Sequence, residues 1–473
     1  MPENKIHKLI QNFSYTLSSN FISLIISSLV IFVVPKLIGI EEYGYWQVYL
    51  FYSSYVGFLH FGWNDGIYLR YGGEKYEMLN KKVFFSQFWM LFFTQLVISV
   101  SIILVSKFVF VHKTNEQFIF YTIAINLIIV NMRFMLLYIL QATNRMKIYS
   151  VSTILDRLIY ILIIIGLIIP GINKYEPMII ADLIGKLISL LYLCYICKDI
   201  VIRKTSDFYF NFNEACENIK VGINLMFANI ASNLILGIIK FGIQRIWSVA
   251  IFGKIALTLS VSNLLMTFIN AISLAIFPVL RRTNTVKLPS LYYVIRTILM
   301  TSLLGLLIIY YPLKEILLIW LPQYSDSLSY MALIFPMVIY EGKVALLTNT
   351  YLNTLRKEKV ILKVNIITFF MSCLTTLVLT FYFKNLVLTM LSIVLLLAFR
   401  SILAEIMLSK IMDINVTKDI FLEAILSIIF ILISWFINSW LGILLYSFAY
   451  LLYFVIKKKD IIKAYKTLKN NIK

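Results

Sequence analysis

The sequence predicts an all-α polytopic membrane protein of about 14 transmembrane helices. They form two parallel six-helix lobes around a central cavity, with an extra C-terminal helix pair. Three observations predict it: an apolar composition, apolar runs of membrane-crossing length, and a one-sided distribution of basic residues. Hydrophobic residues make up 60% of the 473 positions and charged residues 14%, at a mean hydropathy of +0.87. A globular chain runs at roughly 45–50% apolar and about 25% charged.

A helix needs about 20 mostly apolar residues to cross a bilayer. The first such run, 13–34, follows the short basic start MPENKIHKLIQN and has no small-residue cleavage signal, so it reads as a retained helix rather than a leader. Runs at 45–62, 83–105, 118–140, 152–172 and 178–197 complete a first lobe over 1–200. A polar linker over 201–220 follows, the longest loop in the chain and too short for a soluble catalytic domain. The second lobe, 221–410, holds runs at 221–243, 250–277, 291–312, 328–350, 360–383 and 386–409. The pair 420–437 and 440–456 and a basic tail fill 411–473.

Short cytoplasmic loops collect Lys and Arg. With the N-terminus inside, the inside segments carry 28 basic residues and the outside segments 7, namely Lys36, Lys107, Lys113, Lys174, Arg245, Lys314 and Lys384. Both termini are therefore expected in the cytoplasm. The formal charge of +20 reads as loop anchorage to anionic headgroups rather than nucleic-acid binding. Neither a Walker A motif nor a dinucleotide fingerprint occurs, which argues against ATP hydrolysis. No D-x-D and no sizeable external loop argue against a membrane glycosyltransferase or polymerase. Cys194 and Cys197 form a C-x-x-C inside an apolar run without a second ligand pair, and His7, His60 and His112 are scattered, so no metal or cofactor is expected.

An offset of 209 residues aligns Asn20 with Asn229, Ser23 with Ser232, Phe32 with Phe241, Gly44 with Gly253, Ser53 with Ser262 and Ile67 with Ile276. Six runs separate the copies, so both halves point the same way, as in transporters built of parallel repeats.

Eight basic residues fall inside apolar runs: Arg133, Arg157, Lys186, Lys240, Lys254, Arg296, Lys343 and Arg400. Lys254 and Arg296 stand near run ends, where long side chains snorkel to the headgroups, and Arg157 is placed to pair with Asp156. Arg133, Lys186, Lys343 and Arg400 lie deeper. Four such residues facing lipid would cost on the order of 10 kcal/mol, so they require partners or water. Asp182 for Lys186 and Glu341 for Lys343 are the nearest acids. Polar stripes accompany these cations: Asp182, Lys186 and Ser189; Asn233, Gly237, Lys240 and Gln244; Asn20, Ser23 and Ser27; Asn263, Thr267 and Asn270. Helix packing accounts for any one stripe. Together they point to a hydrophilic vestibule, and the excess of cations points to an anionic passenger.

Three segments add a resemblance: PKLIGIEEYGYW (Pro35 to Trp46), FGWNDGIYLRY (Phe61 to Tyr71) and AIFPVLRR (Ala275 to Arg282). The chain resembles Wzx-type O-antigen and capsular polysaccharide repeat-unit flippases of the multidrug/oligosaccharidyl-lipid/polysaccharide exporter superfamily. The resemblance covers essentially the whole chain through loose motifs. It implies two six-helix lobes, an extra C-terminal pair, a cationic cavity and residence in the bacterial cytoplasmic membrane. It also implies movement of undecaprenyl-pyrophosphate-linked oligosaccharide to the outer leaflet by alternating access, with ion coupling. The partners implied are that lipid-linked oligosaccharide, membrane lipids, and a polysaccharide polymerase with its chain-length machinery. A multidrug exporter of the same superfamily is the alternative, although such proteins usually take cationic drugs in acidic cavities.

The residues themselves then supply the candidates. Arg133, Lys186, Lys240, Arg400, Asn229 and Asn233 are candidate substrate contacts, and Asp182 and Glu341 candidate ion-coupling acids. The stretch HFGWNDGIYLRYGGEKYEMLNKK, His60 to Lys82, looks like a phosphate loop, but no strand precedes it and no G-K-[ST] follows. Its bland reading is a helix end anchored by Arg70, Lys75, Lys81 and Lys82. Its sharper reading makes Asp65 and Arg70 part of a cytoplasmic gate.

Overall fold

The computed structural model describes residues 3–282, 287–437 and 440–472. The described residues are helical with no strand. They divide into two compact units, Met1–Ile230 and Ala231–Lys473.

The first unit contains α1 (Glu3–Leu37), α2 (Ile40–Val56), α3 (Trp63–Arg70), α4 (Lys81–Val109), α5 (Thr114–Ala142), α6 (Met146–Ile168), α7 (Tyr175–Ile196), the short α8 (Lys198–Val201) and the start of α9 (Phe212–Ile246). Asn80 caps α4, its Oδ1 accepting from the backbone N–H of Lys82 and Val83 at 3.2 and 3.4 Å. The hub is α5: 78% of its most apolar stretch is buried inside the protein, the largest share among the described candidate spans. It packs on α2, α3, α4, α6 and α7. A helix so largely buried keeps polar residues in its interior only if each is bonded. Asn126 Nδ2 donates to Ser53 Oγ at 2.6 Å, and Asn131 Nδ2 donates to the Val56 carbonyl at 3.0 Å and to Gln95 Oε1 at 2.8 Å.

The second run departs from expectation at both ends. Its helix starts at Ile40 and stops at Val56, and the chain turns before α3 begins. Gly62 makes that turn at φ +84, a left-handed conformation that glycine adopts without strain.

The second unit contains the rest of α9, α10 (Val249–Arg282), α11 (Leu288–Leu306), α12 (Tyr310–Trp320), α13 (Ser325–Ile334), α14 (Met337–Lys343), α15 (Asn349–Thr354), α16 (Glu358–Thr376), α17 (Leu386–Met412), α18 (Thr417–Phe436) and α19 (Leu441–Ile472). The expected single run over 328–350 is a broken span, bent by 44° between Pro322–Ile334 and Met337–Thr354. Pro336 sits at the break and has no N–H to continue the ladder. The α18–α19 pair packs into this unit, α19 against α11 and α18 against α13.

Among the described residues, ten helices are long and apolar enough to cross a membrane, and the bent pair makes an eleventh. Phe21–Leu37 and Val249–Leu264 are shorter apolar helices. The protein is thus a multi-pass membrane protein.

Candidate functional site

In the first unit the deep charges form a seam across α2, α5, α6 and α7. Lys186 donates to Asp182 Oδ2 at 2.5 Å, one turn away on α7, and to Asn126 Oδ1 on α5 at 3.2 Å. Tyr49 on α2 donates its hydroxyl to the same Asp182 oxygen at 2.7 Å. One turn further along α7, Arg133 Nε donates to Ser189 Oγ at 2.8 Å and its Nη2 meets Asp156 Oδ2 at 3.2 Å. The Asp182–Lys186–Ser189 stripe therefore does face one seam. Gly185 permits the approach, since a Cβ there would stand 2.7 Å from the Asp156 carbonyl.

Asp156 serves Arg133 and not its sequence neighbour Arg157. The half-buried Arg157 side chain makes no ion pair or hydrogen bond with a described residue. This surplus cation was masked in the sequence by the adjacent acid.

The second unit holds a larger network. Arg296 on α11 donates Nε to Glu405 Oε1 at 2.6 Å, and its Nη1 lies 2.7 Å from Glu423 Oε1 and 3.3 Å from Asp419 Oδ2. Lys343 on α14 bridges Glu405 and Glu423, the latter at 2.9 Å. Tyr292 donates to Glu405 at 2.8 Å, and Lys457 on α19 pairs with Asp419 and Asp460. Two expectations are corrected here. Arg296 does not snorkel: it is only 2% exposed and held by two glutamates, because α18 and α19 cover the end of α11. Lys343 pairs not with Glu341 but with acids contributed by α17 and α18. Lys254 does reach outward, to the exposed Asp326 at 3.3 Å.

Arg400 on α17 donates to Glu341 at 3.0 Å, Asn365 at 3.0 Å and Ser232 at 2.7 Å. Lys240 on α9 stands apart: half-buried along an apolar helix, it makes no ion pair or hydrogen bond with a described residue. Asn229 and Asn233 lie exposed on α9. The side chains of Asn20, Thr267 and Asn270 fall outside the described residues.

Asp65 and Arg70 lie on α3, which packs without space against the start of α9. A Cβ on Gly66 would stand 1.8 Å from the Asn218 carbonyl oxygen, and one on Gly222 2.0 Å from that of Gly62. Arg70 meets Glu214 at 2.7 Å, Glu217 at 2.8 Å and Asn218 Oδ1 at 2.6 Å, while Tyr71 donates to Glu214 at 2.7 Å. Burial raises the Asp65 carboxyl to about 6, with His60 Nε2 3.7 Å away. The glycines of this stretch thus serve helix contact and turning, and its arginine is a latch onto α9.

The described residues thus form a multi-pass helical bundle that carries ion pairs in its core. The fold matches an inward-facing multidrug resistance MATE family transporter of the MOP superfamily (TM-score 0.60, 11% identity, 82% of this chain and 96% of that one). It matches the lipid II flippase MurJ in an inward closed conformation (TM-score 0.59, 13% identity, 96% and 100%). A MOP superfamily transporter from Pyrococcus furiosus, described as having a binding pocket of reverse polarity, is similar at TM-score 0.52, with 13% identity over 86% and 95%. No curated protein sequence matches significantly. The chain belongs to the polysaccharide biosynthesis protein family, whose model matches residues 9–284.

Proposed function

We propose that this protein is a flippase that carries undecaprenyl-pyrophosphate-linked oligosaccharide repeat units from the inner to the outer leaflet of a bacterial cytoplasmic membrane. The carrying observation is the charge balance of the deep residues within a family of polysaccharide biosynthesis proteins. Asp156, Asp182, Glu341, Glu405 and Glu423 answer Arg133, Lys186, Arg400, Arg296 and Lys343, leaving Arg157 and Lys240 without an acid at ion-pair distance among the described residues. An unpaired cation among apolar helices is costly, and an anionic passenger supplies its counter-charge.

A pyrophosphate and a glycan cannot cross hydrocarbon unaided. In this reading Arg157 in the first unit and Lys240 in the second each offer a cation to phosphate, and Asn229 and Asn233 offer amides to sugar hydroxyls. Transport proceeds by alternating access. Asp182 and Glu341, each on one cation, are the acids through which ion coupling acts, and release of Arg70 from Glu214 and Glu217 accompanies cytoplasmic opening. The similarity to MurJ, a flippase by its name, supports this reading. Both termini lie in the cytoplasm, with fourteen spans.

The similarity to a multidrug resistance transporter supports a second reading, export of organic cations. A deletion strain of the native host separates the two. Loss of surface polysaccharide with accumulation of lipid-linked repeat units is expected. Unchanged polysaccharide with new drug sensitivity would overturn the proposal.

A further inference from the structure

The segment that joins α8 to α9 carries exposed apolar side chains. Its segment DFYFNFN (Asp207 to Asn213) places Phe208, Phe210 and Phe212 at alternate positions. Phe208 packs edge-on to Phe85 of α4, and Phe210 and Phe212 stack with centroids 5.7 Å apart. Phe210 and Phe212 are 68% and 64% exposed, and Ile202 73%. Large aromatic side chains so bare in a loop would form an apolar patch in water, whereas in the headgroup layer they are at home.

Phe208 also lines a cavity of about 500 Å³, together with Phe85, Trp89, Phe93, Val201 and Ile202 and the polar Arg203 and Thr205. Phe85, Trp89 and Phe93 follow at intervals of four on one face of α4, and the linker is laced to that helix. Trp89 Nε1 donates to the Val201 carbonyl at 3.2 Å, Tyr209 N–H to Ser86 Oγ at 3.1 Å, and Gln87 Nε2 to the Asn211 carbonyl at 3.1 Å. Arg203 lines the cavity, and Lys82, Lys198 and Lys204 stand within a few residues of its lining in sequence, against Asp199 and Asp207. Asp207 binds both Arg203, at 3.0 Å, and Lys82, at 2.9 Å. Asp199 is engaged by Lys81 at 3.2 Å. Lys198 and Lys204, both exposed, remain as positive surplus.

We propose that this cavity binds one anionic membrane phospholipid, an acyl chain against Trp89 and its phosphate at Arg203 and Lys204. The apolar wall takes the chain and the surplus of cations takes the phosphate. A pocket of this size encloses one acyl chain rather than the far longer prenyl chain of a polysaccharide carrier, which selects the phospholipid as occupant. The site stands on the membrane location of the chain and is independent of what the protein transports.

Fluorescence quenching tests it on the full-length protein in lipid nanodiscs. The contribution of Trp89, one of seven tryptophans, is read as the difference between the wild type and Trp89→Phe. Phosphatidylglycerol brominated on its acyl chain should quench that difference at a severalfold lower mole fraction than brominated phosphatidylcholine. Each basic residue contributes about fivefold to such a preference, so Arg203→Gln with Lys204→Gln should erase it. Lys204→Gln alone, at an exposed position, should reduce it even if the double variant fails to fold. Equal quenching by both lipids would show that the groove merely faces bulk lipid, and no quenching would show it closed to chains. Either result overturns the proposal, as would displacement of brominated phosphatidylglycerol by equimolar undecaprenyl phosphate, which would assign the cavity to the carrier.

Discussion

Lys240 is the residue on which the functional reading turns. Among the described residues its side chain has no acid partner of the kind that Lys186, Arg296, Lys343 and Arg400 each have. Lys240→Ala should abolish surface polysaccharide while leaving protein level and helix content intact, and Lys240→Arg should retain activity; normal display in the alanine variant would make Lys240 structural. Glu405 is the opposite case. Removing one acid from a buried network leaves Arg296 and Lys343 undercompensated, at a cost of about 3–5 kcal/mol. Glu405→Gln should therefore lower the thermal unfolding midpoint in detergent by several degrees, whereas an unchanged midpoint would mean that Glu423 alone suffices. Asp65 gives a pH signature. Its carboxyl is raised from 3.8 to about 6 by burial, so the folded protein binds more protons than the unfolded chain in that window. Stability from this group is present below the lower value and is lost as pH rises through the higher one. Asp65→Asn should flatten that fall in a pH series of unfolding midpoints, and an unaltered slope would assign it to other groups.

At the scale of elements, the contact of α3 with α9 is made by absent side chains. Gly66→Ala and Gly222→Ala would each drive a methyl group into backbone, at about 1–3 kcal/mol. Gly39→Ala, with nothing within 4 Å of its added Cβ, is the matched control. Thermal unfolding should rank the first two well below the third; three equal midpoints would show that α3 moves aside freely. These elements also show what was legible in the sequence. The run 83–105 lies inside α4 and 118–140 inside α5, because apolar length is a local property of the chain. The partners of Arg296 were not legible: Glu405 and Glu423 stand more than a hundred residues away, brought to α11 by tertiary packing. Nor was the 44° break at Pro336 legible, because an apolar count carries no direction.

At the scale of the molecule, the distribution of basic residues predicts the orientation, with both termini in the cytoplasm. A C-terminal fluorescent reporter should mature in the cytoplasm, and alkaline phosphatase fused after Lys113 should be active outside. The reverse pattern would invert the topology and with it the direction of transport. The identity of the passenger is open to a reconstituted transfer assay. Purified protein in proteoliposomes would be supplied with undecaprenyl-pyrophosphate-linked oligosaccharide, and the fraction reaching the opposite leaflet followed by its accessibility to an added glycan-modifying enzyme. Transfer well above that of protein-free vesicles is expected, with its loss in Lys240→Ala. Transfer no faster than in empty vesicles, in a preparation that moves an organic cation, would contradict it.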